Sequence, residues 1–101
     1  MVGTLETLRD AIRSRRRLQF FYHGEQRIVE PYTVYRSTPG NVLLYGIQIH
    51  MIGTTILDRE VKQFKLSEIL SLNTLEVFTP DPGYTASKLP NCSQIIETIE
   101  R

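Results

Sequence analysis

A chain of 101 residues has room for one small domain built around a single core. With 41% hydrophobic and 23% charged residues it can pack that core, which excludes general disorder. Twelve Lys+Arg against 11 Asp+Glu leave a formal charge of +1, excluding a bulk polycation, and the one Cys excludes an internal disulfide or a zinc ribbon.

In chain order, Thr4 to Arg16 is expected to form a helix. Leu5, Leu8 and Ile12 recur at spacings of three and four, with Ala11 beside them. Thr4 is placed to cap it, Glu6 sits in the first turn, and Arg13, Arg15, Arg16 and Arg17 crowd the far end, where the helix dipole favours cations. Glu6, Arg9 and Asp10 also interrupt the apolar positions after Met1, so no signal-peptide core forms. The expected setting is a reduced cytoplasm.

From Leu18 the period becomes two. Leu18 to His23 reads as a strand, His23 to Gln26 as a turn, and Arg27 to Tyr35 as a second strand. Pro31 lies inside that second strand and cannot donate to a ladder, which calls for an edge or a bulge. Ser37-Thr38-Pro39-Gly40-Asn41 is the strongest turn signal. Val42 to His50 makes a central third strand, Thr54 to Lys65 a fourth of mixed polarity, and Ile69 to Phe78 a fifth, with Leu66-Ser67-Glu68 connecting the last two. Residues 79 to 91 read as a loop. Ile95, Ile96 and Ile99 then suggest a short C-terminal helix, capped by Asn91 or Ser93. The expected fold is mostly β: a small five-stranded antiparallel barrel, SH3-like or Sm-like, with an N-terminal and a short C-terminal helix. A Greek-key OB-fold is the alternative. Residues 1–79 would form the barrel and its helix, and residues 80–101 the loop and C-terminal helix.

The stretch from Arg9 to Phe78 resembles the WYL domain, a bacterial regulatory module with an Sm-like barrel. "LRDAIRSRRRLQFFYHGEQ" is similar to that family's opening helix, basic corner and aromatic strand. "RIVEPY" is similar to its Arg-x-x-x-Pro segment, and "VKQFKLSEILSL" resembles its Arg-x-Phe-Arg-Leu-Asp-Arg-Ile segment. Val42-Leu43-Leu44 stands where the name-giving Trp-Tyr-Leu falls, Lys62 and Lys65 stand in place of Arg, and Ser67-Glu68 replaces Asp-Arg. The resemblance implies a ligand-sensing, non-enzymatic module, with Tyr22, Arg27, Lys62 and Lys65 as ligand-binding candidates. The implied ligand is a nucleotide or single-stranded nucleic acid. A protein partner or homo-oligomer, formed through barrel edges, is the alternative reading. Only Met1–Arg17 precede the first expected strand, so this chain is not expected to carry the winged helix-turn-helix that usually accompanies the family.

Charge along the chain fits an anionic ligand locally. Residues 1–36 hold seven Arg against four acids, whereas the remainder is mildly acidic. Arg13, Arg15, Arg16 and Arg17 form the sharpest cluster, readable either as phosphate contacts or as cations at a helix end. Catalysis has little to stand on. His23 and His50 each adjoin a turn, Cys92 lies in a polar tail, and Asp58, Glu60 and Lys62 read as a solvated ladder on one strand face. No Walker loop, nucleophile elbow or metal-ligand spacing occurs. No cofactor, metal or membrane contact is expected.

Overall fold

The computed structural model describes residues 3–82, 84, 89 and 92–99. Helix α1 (Thr4–Ser14) leads into β1 (Arg16–Tyr22), β2 (Glu25–Ser37), β3 (Val42–Ile52) and β4 (Thr55–Lys65). A single 3-10 turn (Leu66–Glu68) then precedes β5 (Leu70–Val77) and β6 (Cys92–Thr98).

The helix is shorter than its periodicity suggests, and Gly3 rather than Thr4 is its N-cap. It stops because Arg15 takes the left-handed conformation at φ 55° and donates its N–H back to Ile12 O, so Arg16 and Arg17 belong to β1. Leu8, Ala11 and Ile12 are buried, which confirms the apolar stripe.

The β1–β2 connection is a two-residue turn, His23 at φ 52° and Gly24 at φ 78°, with Tyr22 paired to Glu25. Positive φ at both central residues defines a type I′ turn, whose twist matches the flanking strands. β2 is the spine of the sheet. Along one edge it pairs with β3 from Ile28 to Arg36. Along the other edge Glu25–Val29 pair with β1, and Thr33–Ser37 pair with β6. The handover between the two falls at the expected bulge, where the register with β3 slips between Pro31 and Thr33.

Opposite Pro31 stands Gly46, and no side chain fits there. A Cβ on Gly46 would lie 2.7 Å from the Glu30 carbonyl oxygen and 2.8 Å from Val29 Cγ1. Because the nearer atom is backbone inside a ladder, it cannot yield cheaply. Gly46→Ala is expected to cost about 1–3 kcal/mol, the usual range for overpacking, measurable by urea denaturation.

Two expectations are corrected. The segment expected as a C-terminal helix is strand β6, and the sheet has six strands rather than five. Beyond the bulge, the edge of β2 that β1 has left would expose unpaired N–H and C=O groups. An antiparallel partner rich in β-branched residues satisfies them, and Ile99 continues the pairing by donating its N–H to Tyr32 O at 2.8 Å. Ile99 is buried and Ile96 packs on the core, while Ile95 is exposed. Of the caps proposed for that helix, Asn91 lies outside the described residues, and Ser93 lies within β6, its hydroxyl donating to Arg36 O.

Barrel closure is likewise absent from the hydrogen-bond ladder of the described residues. The strand path runs β4-β3-β2-β1-β5 and ends at two unjoined strands. Side chains bridge the gap instead. Phe64 of β4 meets Phe20 and Tyr22 of β1 edge to face, at centroid separations of 5.1 and 4.9 Å. The Lys65 N–H also donates to Tyr22 Oη at 3.0 Å. The core joins these rings to Leu8, Ile12, Leu18, Val29, Leu44 and Phe78, so Phe64 and Phe78 are core as expected.

Candidate functional site

The type I′ turn and the β1–β2 register place the first candidates together. Phe20 faces Arg27 across the hairpin and Tyr22 faces Glu25, so the Arg27 side chain lies diagonal to Tyr22 on the core side of the sheet. The Arg27 guanidinium carbon is 5.9 Å from the Tyr22 ring centroid. Its Nη1 donates to Gln48 Oε1 at 3.0 Å, and its Nη2 donates to Tyr22 O at 3.3 Å. Nη2 also lies 3.3 Å from the Glu25 carboxylate. The side chain is 14% exposed, yet its buried Nε has no acceptor among the described residues. A shallow depression of about 190 Å³ runs beside it, lined by Gln26, Gln48, His50 and Met51 among others.

Tyr22 is less available than its place in the sequence suggests. Phe20 and Phe64 pack on its edges, and His23 stacks on it at 4.2 Å with a 19° interplanar angle. Its hydroxyl is taken by the Lys65 N–H. The ring that reaches solvent here is therefore His23, which Glu68 holds through a 2.5 Å contact at Nε2. Glu68, the residue that replaces an expected cation, acts on the neighbouring hairpin. Gln48, His23 and Glu68 are the members of this cluster that spacing alone does not single out. The signal that could have found His23 is its position as the first residue of a Gly-containing hairpin turn.

The two lysines separate. Lys62 pairs with Gly46, two residues from Gln48 on β3, and shares with Phe64 and Gln48 one face of the β3–β4 ladder. Its ammonium lies 3.6 Å from Glu60. Lys65 is an odd number of residues away, so its side chain leaves from the opposite face, and it lines a groove with Thr4, Val42, Leu66 and Ile69. Of Tyr22, Arg27, Lys62 and Lys65, the fold brings Tyr22, Arg27 and Lys62 to one face. Lys65 contributes its backbone there.

The arginine cluster also divides. Arg13 pairs with Asp10 at 3.5 Å and with Glu97 at 3.0 Å. Arg15 turns the chain, and together with Ile12, Arg13, Glu97 and Thr98 it lines a cleft of about 340 Å³. Arg16 and Arg17 are successive strand residues and point to opposite faces. Arg17 is held by two acids, Nε to Glu30 at 3.0 Å and Nη1 to Glu76 at 2.9 Å. Burial works against its charge, but these two carboxylates outweigh it and raise its pKa. Glu76 is held below the ordinary carboxylate range by a hydrogen bond from its own backbone and by Arg17. The expectation of four cations at one helix end is therefore corrected: they are distributed over a helix end, a corner and two strand faces.

Glu30 is the least expected feature. Its side chain is 1% exposed and accepts from Arg17 and, at 2.7 Å, from Arg59 of β4. Nearby, burial raises the pKa of Tyr32 and Tyr84. Tyr32 Oη accepts the Asp81 N–H at 2.8 Å, and Tyr84 Oη bonds Thr33 Oγ1. These contacts tie the segment after β5 to the spine. Among the described residues, no group of three or more His, Cys, Asp or Glu is placed to hold a metal, and no helix is long and apolar enough to cross a membrane.

Comparison with known proteins bears on the family and the fold. The family model described as "WYL domain" matches residues 3–74. The fold is similar to the proteasome accessory factor B/C (PafBC) of Arthrobacter aurescens, with a TM-score of 0.64 and 22% identity. That match covers 83% of this chain but 13% of the other, so the likeness is to one part of a much longer protein. No curated protein matches the chain.

Proposed function

The chain belongs to the WYL domain family, and on that premise we propose that it is a regulatory, non-enzymatic sensing module. Its ligand is an anionic nucleotide or short single-stranded nucleic acid, taken up at the face that carries Arg27 and Lys62. One observation carries the reading: the Arg27 guanidinium is held in one posture by Gln48, Tyr22 O and Glu25 while its buried Nε–H lacks an acceptor among the described residues. A desolvated donor without a partner is costly, and a small movement that brings a phosphate oxygen to this fork would satisfy it. The planar fork suits a phosphate better than a lysine does. Glu25 is exposed and yields its place readily, whereas Gln48 keeps the fork oriented. Lys62 adds a point charge on the same face, and the His23 ring supplies the accessible plane on which a base can stack. Changes at this face reach the rest of the domain through Tyr22, which touches both Arg27 and Phe64.

The test is fluorescence anisotropy of labelled oligonucleotides and nucleotides at low salt. Arg27→Ala is expected to weaken binding about tenfold or more, the worth of one charge-assisted hydrogen bond. Arg27→Lys should recover only part of that loss, because it restores charge without the fork. Lys62→Ala should weaken all sequences alike and lower the salt slope by about one. Absence of wild-type binding at low salt overturns the reading.

A further inference from the structure

Among the strands of the described residues, β4 differs from the other free edges. β5 carries a single charged side chain, Glu76, already held by Arg17, and its ladder with β1 slips twice. β6 carries a single acid, Glu97, held by Arg9 and Arg13. β4 runs for 11 residues, has β3 as its one ladder partner, keeps an unbroken register from Asp58 to Lys65, and gives up at its far end only the Lys65 N–H, to Tyr22 Oη. Its charges alternate in sign from Asp58 through Arg59 and Glu60 to Lys62, and Lys65 closes the strand.

We infer that β4 pairs antiparallel with the β4 of a second copy of this chain, about a two-fold axis through Val61. An edge of one sign repels its copy, and natural sheets use such edges to stay apart. A mixed edge repels or attracts according to register. Keeping the same sheet face outward in both copies permits only registers centred on a residue, because a slip of one turns every side chain over. Centring on Arg59 sets Asp58 against Glu60. Centring on Glu60 or Lys62 sets that residue against itself. Centring on Val61 instead gives Glu60 opposite Lys62 twice, by symmetry, and Arg59 opposite Gln63.

The apolar pattern selects the same axis. Val61 is 57% exposed and in register with Ile47, which packs on the core. At the axis Val61 of each copy covers the other and extends the row across the joined sheets. The present partner of Lys62 is the weak 3.6 Å contact with Glu60 on its own strand, so no strong internal pair has to break. Leu57 sits where the β3–β4 register slips, which sets the far limit of the pairing.

Sedimentation equilibrium of the 101-residue chain over a concentration series reads this directly. The wild type should show a species of twice 11.7 kDa. Glu60→Lys and Lys62→Glu each create two like-charge contacts, and each is expected to raise the dimer dissociation constant by at least about tenfold. An equimolar mixture of these two variants should regain the double mass as a heterodimer, since each then meets its complement. That rescue also shows that both variants are folded. Val61→Arg breaks the axis independently. A wild type that stays at 11.7 kDa, a dimer indifferent to Glu60→Lys, or a mixture that fails to associate overturns the proposal. The readout is mass, so it stands or falls separately from ligand binding.

Discussion

Glu30→Ala is expected to destabilise the domain by about 3 kcal/mol, near the lower end of the cost of breaking a buried ion pair. The carboxylate holds Arg17 of β1 on one side and Arg59 of β4 on the other, from the middle of the spine strand. Its loss strands Arg17, whose side chain is 14% exposed and whose remaining acid, Glu76, lies nearer the surface. Arg59 is 48% exposed and turns to water at little cost, which holds the total below the top of the range. The same asymmetry gives the control. Arg59→Ala should cost no more than about 1 kcal/mol, as for an exposed pair. Thermal unfolding separates the two, because for a domain this size each kcal/mol moves the midpoint roughly 4–8 °C. Equal losses for Glu30→Ala and Arg59→Ala would contradict this account of the triad.

Phe64→Ala should cost about 3–5 kcal/mol, the range for deleting a buried aromatic. The ring is 1% exposed and contacts Phe20 and Tyr22 with interplanar angles of 86° and 89°. These contacts do what a ladder does not, holding β4 against β1 where the hydrogen-bonded path leaves the sheet open. Phe64→Leu keeps most of the volume and loses the edge-to-face geometry, so it should retain the fold at a smaller cost. In the proposed sensing role Phe64→Leu carries a second effect: Tyr22 loses its backing, Arg27 loses its fixed neighbour, and oligonucleotide binding weakens with the fold intact. Denaturant midpoint and anisotropy measured on the same variant distinguish these effects. A destabilised Phe64→Leu with unchanged affinity would remove Tyr22 from the path between site and core.

Local pattern is legible in the sequence where the backbone decides locally. The apolar stripe of α1, the His23-Gly24 turn, the bulge at Pro31 and the Leu66–Glu68 connector each follow from one or a few adjacent residues. The candidate site was legible in part. Arg27 lies beside Tyr22, while Lys62 and Lys65, which the resemblance implies together, leave opposite faces because their spacing on a strand is odd. The expected helix runs on to Arg16 because a run of arginines has no periodicity to mark where it ends. The break comes from the left-handed Arg15, a conformation that the residue type does not favour.

The patterning of this chain determined by itself a mostly β fold with an N-terminal helix, and its near-zero net charge concealed an Arg-rich first third. The tertiary structure decided what those charges are available to do. It buried Glu30 and set two arginines on it, turned Lys65 away from Lys62, and left Arg27 with an unmet donor. It also drew the last isoleucines into a strand, because only the assembled sheet exposes the vacant edge of β2 that they fill. Charge count and short-range period are properties of neighbours in the chain. Which acid meets which base, and which edge needs a partner, depends on residues up to 88 positions apart, as in the Arg9–Glu97 bond.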